Sequence, residues 1–178
     1  KIMSVGGGAI VIEGKPELNE EDVYPLRTFG QISDYCMRHN MRLWEYVEKY
    51  EGKEIWAYLH EIWKAMKNSI NEGLSTRGVL DGGLGVERKA QYLYNQTHID
   101  ESDITRENRL VCAYAFAVAE QNADAGTIVT APTCGSSGVL PAVLYHLWKT
   151  REFSEARICR ALATAGLIGN VVKHNASI

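Results

Sequence analysis

A chain of 178 residues, 46% hydrophobic and 23% charged, has the length and balance of one globular domain with a real core. Its formal net charge of −3 argues against nucleic acid or an anionic membrane surface as a partner. No apolar run approaches the ~20 residues of a membrane span, and no signal-peptide pattern opens the sequence. Both ends fall in strongly patterned apolar sequence, as in a piece of a longer protein.

Residues 2–12, IMSVGGGAIVI, are rich in β-formers around a glycine triplet. They predict one strand, or two short ones joined at Gly6–Gly8, as the tail of a preceding β domain. Residues 13–25 are polar with two prolines and read as a linker. From residue 26 to 178 helical signals dominate. Thr28 caps a helix over Phe29–Arg38, ending near Asn40. Leu43, Tyr46, Val47 and Tyr50 space a second, ending at Gly52. Ile55, Trp56, Leu59, Ile62, Trp63, Met66 and Ile70 share one face of a helix over Lys53–Glu72, with Gly73 where a C-terminal cap is expected. Core packing accounts for that aromatic stripe.

Residues 75–86, STRGVLDGGLGV, predict a glycine-rich loop, followed by a short helix near Glu87–Asn95. Leu110–Ala123 is apolar nearly all round and predicts a central buried helix whose last turn carries Glu120, Gln121 and Asn122. Ser154 caps a final helix through Ile158, Leu162, Ala165 and Ile168. The fold class is all-α: a helical domain of about seven helices with a short β-like N-terminal segment. Cys36, Cys112, Cys134 and Cys159 form no CxxC pair and have no histidine at ligand spacing, which argues against a zinc site. Cys112 and Cys159 read as small core residues. Four unpaired thiols suit a reducing, cytoplasmic setting.

The stretch TAPTCGSSGVLPAVL, Thr130–Leu144, concentrates the chemistry. Pro141 has no N–H and fits only the first residues of a helix, so the N-cap falls at Gly138 or Ser137. The loop Thr133–Ser137 then sits over the free N–H groups of Gly138, Val139 and Leu140, at the positive end of the helix dipole. Such an end takes a carboxylate or phosphate without a basic side chain. Gly135 and Gly138 would let backbone approach a ligand, and Thr133, Ser136 and Ser137 add hydroxyl donors. A Walker loop would need Gly-Lys-Ser/Thr, and a nucleophile elbow would need G-x-S-x-G; neither is present. An anion site and a plain capped turn both stay open. The loop Gly78–Arg88 is similar in character, with Arg88 and Lys89 able to hold a carboxylate or simply solvated. The polar run Lys173–Ser177 closes the last helix. Three such loops in a greasy domain suggest one shared pocket.

Taken in order, SVGGGAIV, GVLDGGLGVERKA, NADAGTIVTAPTCGSSGVLPAVL and TAGLIGNVVKHNASI resemble the catalytic α domain of iron–sulfur-dependent L-serine dehydratases (L-serine ammonia-lyases). The resemblance covers nearly the whole chain, is most specific in Thr130–Leu144 and Asn175–Ile178, and is weak over Leu18–Tyr58. It implies deamination of L-serine to pyruvate and ammonia on a [4Fe–4S] cluster, without pyridoxal phosphate. One iron, lacking a cysteine ligand, would act as a Lewis acid on the substrate hydroxyl. The family's cluster cysteines would lie beyond Ile178, and its histidine base before Lys1. The α domain is then incomplete at its C-terminus. The resemblance assigns this chain no catalytic residue, no metal ligand and no bound cluster, and the chain alone is expected to be inactive. Many members have a cysteine where Ser137 stands; here the thiol is at Cys134.

Substrate binding is expected at Thr133, Gly135, Ser136 and Ser137, with Asn175 and Ser177 lining the pocket beside the cluster. The implied partners are L-serine, a β domain or β subunit of the same enzyme, and a second copy in a homodimer; nucleic acid and membrane are not expected. A related iron–sulfur lyase such as L-cysteine desulfidase is the nearest alternative, separable by serine-versus-cysteine turnover. A pyridoxal-phosphate dehydratase would be mostly α/β with a Schiff-base lysine, against the helical pattern. A non-catalytic helical binding or assembly domain is the alternative of another class.

Overall fold

The structure is a computed structural model that describes residues 2–4, 10–12, 23–130 and 133–175. The described residues form seven helices and two short strands, so the all-α class expected from periodicity is what forms. The chain divides into two compact units, Lys1–Trp56 with Arg160–Ile178, and Ala57–Cys159.

In the first unit β1 (Ile2–Ser4) and β2 (Ile10–Ile12) pair antiparallel, with Ile2 opposite Ile12, so the β-rich start is two strands rather than one. Most of the expected linker lies outside the described residues. Helix α1 (Phe29–Arg38) opens on a capping box. The Gln31 N–H donates to Thr28 Oγ1 at 3.4 Å, and Gln31 Oε1 accepts from the Thr28 N–H at 3.3 Å. After it Asn40 takes a left-handed φ of 48°. Helix α2 (Leu43–Glu51) starts where the Arg42 N–H donates to Glu45 Oε2 at 2.6 Å and stops at Gly52, whose φ of 79° suits only glycine without strain. Tyr46 is fully buried, stacked on Tyr24 at 5.9 Å and tilted against Tyr50 at 4.8 Å. Burial, more than its tyrosine neighbours, pushes the Tyr46 hydroxyl up to about 12. The Arg160 guanidinium lies 4.6 Å over the Trp44 ring.

The second unit is built on α3 (Ile55–Ser75), α5 (Asp103–Ala123) and α6 (Val139–Arg151), closed by the start of α7 (Glu155–Asn175). Leu59, Trp63, Met66 and Ile70 of the predicted stripe are buried. Trp63 meets Trp148 edge-on at 6.1 Å, and Tyr145 bridges from Trp148 to Tyr114, 4.8 Å away. Burial chiefly, with Tyr94 and Tyr145 nearby, raises the Tyr114 hydroxyl to about 12.

Four expectations need correction here. Gly73 does not cap α3. The helix runs on to Ser75, where the Ser75 and Thr76 hydroxyls donate to the Glu72 carbonyl at 2.9 and 2.7 Å. Gly73 is buried instead against α5: a Cβ there would stand 2.3 Å from the Ala117 carbonyl oxygen. Helix α5 begins at Asp103, not Leu110, because Ser102 caps it by accepting from the Thr105 N–H at 3.2 Å. Its apolar circumference is not buried all round. Ala113, Tyr114, Ala117 and Val118 face the core, while Cys112 and Phe116 are exposed. Cys112 is therefore a surface thiol, whereas Cys159 is 1% exposed, as expected of a core residue. Small residues on both faces of α5 hid which stripe would pack.

Helix α4 (Ala90–Asn95) has six residues, too few to hold itself in water. Helix α5 supplies both of its caps. At the start of α4, Glu120 Oε1 accepts from the N–H groups of Lys89 at 2.5 Å and Ala90 at 3.1 Å. At its end, Arg109 Nη1 donates to the Leu93 carbonyl at 2.6 Å, while its Nε and Nη2 grip the Glu101 carboxylate at 2.6 and 2.7 Å. An acid at the positive end and a base at the negative end both match the helix dipole.

The thiols give a direct check on this packing. Burial chiefly raises the Cys36 and Cys159 pKa values and limits access to both thiols. In the folded chain a thiol reagent should therefore label Cys112 and Cys134 quickly, and Cys36 and Cys159 only after denaturation. Equal labelling of Cys159 and Cys134 would contradict the core described here.

Candidate functional site

The helix mouth forms as Pro141 requires. Gly138 is the N-cap of α6, and Pro141, third in the helix, is buried where no N–H is needed. The preceding loop is a tight double turn: the Ser137 N–H donates to the Cys134 carbonyl and the Val139 N–H to that of Ser136, each at 3.1 Å. Val139, expected to offer a free N–H, thus has its proton engaged inside the turn.

The hydroxyls fall on two sides. Thr133 and Ser136 are exposed, and their oxygens share one hydrogen bond of 2.8 Å. Two hydroxyls that satisfy each other at an exposed helix start can both turn to a stronger, charged acceptor. Ser137 is turned inward and 7% exposed. Cys134 and Gly135 are exposed, and a Cβ at Gly135 would meet nothing within 4 Å. Gly138 differs from expectation. Its Cβ would lie 2.5 Å from the Ala115 carbonyl oxygen, so its missing side chain makes room for helix α5 rather than for a ligand.

The glycine-rich loop is an ordered hairpin. Val79 bridges Glu87, the Leu80 N–H donates to the Val86 carbonyl at 2.8 Å, and the Arg88 N–H to that of Gly78 at 2.9 Å. Gly78 and Gly82 carry φ of +111° and +135°, which side-chain-bearing residues rarely adopt. A cleft of about 550 Å³ opens beside it, lined by Thr76, Arg77, Glu87, Gln91 and Asn95 among others.

Arg88, read in sequence as able to hold a carboxylate or simply solvated, holds carboxylates of its own chain. Its side chain is 3% exposed; Nη2 pairs with the Asp124 carboxylate, and Nη1 stands 4.0 Å from Glu120 Oε2. Glu120, whose other oxygen caps α4, is 4% exposed. Sequence reasoning noted Glu120 only as polar. The signal available was an isolated acid at the end of the apolar run Leu110–Ala123, since a buried carboxylate needs partners.

Asn175 belongs to the other compact unit. Its amide donates to the Arg27 carbonyl at 3.0 Å and the Val171 carbonyl at 2.8 Å, so both its N–H groups are engaged. Ser177 lies outside the described residues. Among the described residues no three His, Cys, Asp or Glu side chains gather as a metal site would require. Cys36 and Cys159 are buried and stand in no such group. The described residues of this chain do not fit as the cradle of an iron–sulfur cluster. Also among them, no helix is long and apolar enough to cross a membrane.

Comparison with known proteins bears on the same segments. The serine dehydratase alpha chain family matches residues 28–178, a stretch that includes the hairpin, the Glu120 cluster and the helix mouth. The L-serine dehydratase of Haemophilus influenzae is 38% identical over 98% of the chain. That of Streptomyces coelicolor is 34% identical and L-serine dehydratase 2 of Escherichia coli 35%, over the same share. The chain spans 41% of the length of each of these relatives. Identity at this level across almost the whole chain, with the family match covering every helix from α1 to α7, leads to one conclusion: the chain belongs to the serine dehydratase alpha chain family.

Proposed function

We propose that this chain is the substrate-pocket part of an L-serine dehydratase, which converts L-serine to pyruvate and ammonia. The observation that carries the reading is the exposed hydroxyl pair at the start of α6, Thr133 Oγ1 and Ser136 Oγ at 2.8 Å, inside the segment that most resembles the family. The substrate is a zwitterion whose carboxylate needs donors and a positive potential. A helix N-terminus supplies the potential, and the two hydroxyls supply the donors once they release each other. Ser137 supports the turn from within, and the open space at Gly135 lets a ligand approach the backbone. Asn175 and Ser177 are part of the same proposal.

In this reading the bound [4Fe–4S] cluster supplies Lewis acidity toward the substrate hydroxyl, and its ligands come from other parts of the enzyme. What this chain does is bind and orient. It holds the carboxylate so that the α-proton and the β-hydroxyl, which both leave in the elimination, are presented in a fixed geometry. The general base is not assigned to any residue of this chain. The soluble, cytoplasmic, homodimeric enzyme with a β domain or subunit belongs to the same proposal.

The test uses the full-length enzyme. Hydrogen bonds from hydroxyls to a charged acceptor are worth roughly 1.5–3 kcal/mol, so Ser136→Ala should lower kcat/KM for L-serine about ten- to a hundredfold. Thermal stability should hardly change, because Ser136 is exposed and caps nothing by its side chain. Ser137→Ala, at a buried position, should lower both stability and turnover. Full turnover with reduced stability in both variants would mean that the loop is only a turn.

A further inference from the structure

The hairpin and the helix mouth hang from the same stretch of one helix. The hairpin is held at Arg88, which reaches Glu120 and Asp124. The mouth is held at Gly138, packed on the Ala115 carbonyl. Ala115 to Asp124 is the C-terminal half of α5 with its cap residue. Directly after it the chain reverses: Ala125 takes a left-handed φ of 57° and the Gly126 N–H donates to the Gln121 carbonyl at 2.7 Å. It then runs through Thr127–Thr130 toward the mouth.

Glu120 stands at the centre of this arrangement. One oxygen holds the Lys89 and Ala90 N–H groups, fixing where the hairpin ends and α4 begins. The other faces Arg88 Nη1 across 4.0 Å, and neither of those two buried atoms has a hydrogen-bond partner. Arg88 in turn holds Asp124, the C-cap residue of α5, from which the chain leaves for the mouth. A buried guanidinium shared by two carboxylates settles where both charges allow, so loss of one shifts it toward the other.

We propose that Glu120 is a positioning residue: a single buried carboxylate that sets the hairpin 78–88 and the helix mouth 133–138 relative to one another through Arg88 and Asp124. Neutralising it loosens both loops together, not the hairpin alone. The consequence for substrate affinity rests on the proposed L-serine site at the mouth; the coupling of the two loops does not.

The experiment compares the intact enzyme with its Glu120→Gln and Glu120→Ala variants, by hydrogen exchange and by L-serine kinetics. Gln keeps an acceptor for Lys89 and Ala90 but removes the charge facing Arg88; Ala removes both. The expected result is faster amide exchange in both 78–88 and 133–138. KM should rise about tenfold in Gln and further in Ala, with kcat within about threefold, because bound substrate still meets the same reacting groups. If Ala fails to fold, Gln alone decides. Faster exchange confined to 78–88 in a Gln variant of lowered melting temperature would overturn the proposal and leave Glu120 as a cap of α4 only, whereas faster exchange in both loops with an unchanged KM would overturn the substrate site at the mouth and keep the coupling. If the wild-type enzyme does not turn over L-serine, the substrate reading fails, and exchange at the two loops still decides whether Glu120 couples them.

Discussion

Gly73→Ala should lower the stability of this protein by about 3 kcal/mol or more, the upper end of what overpacking costs. The added methyl would have to occupy a point 2.3 Å from the Ala117 carbonyl oxygen and 2.6 Å from its carbon. Those are backbone atoms of α5, so no rotamer change relieves the clash, and α3 and α5 must move apart. What opens is the close approach of α3 to α5 at Gly73 and Ala117, both buried. For a chain of this size the melting temperature should fall by about 10 °C. Gly166→Ala is the matched control. It is also a glycine within a helix, but a Cβ there would meet nothing within 4 Å. Alanine should therefore stabilise that site by up to about 1 kcal/mol, through helix propensity alone. Equal, mild effects at the two glycines would contradict the close crossing of α3 and α5.

Glu120→Ala should cost about 3–5 kcal/mol, the range seen when one partner of a buried ion pair is removed. The loss has two parts. Arg88, 3% exposed, keeps only Asp124 as its counter-charge, and the Lys89 and Ala90 N–H groups lose their acceptor. Glu120→Gln retains a neutral acceptor and should cost about half as much, since hydrogen bonds to a charged group contribute roughly twice those to a neutral one. Urea unfolding of the three proteins, with exchange at the Lys89 and Ala90 amides, measures both parts. Total stabilities run to about 5–15 kcal/mol, so the Ala variant should be folded but marginal in the cold and largely unfolded on warming. A Gln variant as unstable as Ala would show that the charge facing Arg88, and not the cap of α4, is what matters.

The helices were legible wherever a local signal sits beside an apolar period. Thr28 with Gln31, Gly52 and Ser154 each mark a terminus by chemistry that acts within a few residues, and α1, α2 and α7 begin or end where those residues stand. Pro141 fixed the start of α6 in the same local way, because a missing N–H is a property of one residue. The helix mouth, as a loop of hydroxyls before that start, was equally readable.

What the sequence alone determined is therefore the class of fold, most helix ends and the turn at Thr133–Gly138. Tertiary structure decided how glycine and charge are used. Gly73 and Gly138 look in sequence like a cap and a ligand cradle; both instead admit the backbone of α5, at Ala117 and Ala115. Arg88 and Glu120 look like a solvated and an incidental charge; they become buried partners that, with Arg109, cap α4 and anchor the hairpin. The physical reason is the same in each case. A cap or a periodic face depends on neighbours a turn away, whereas a missing Cβ or a buried charge takes its role from whichever distant backbone or counter-charge the fold brings to it.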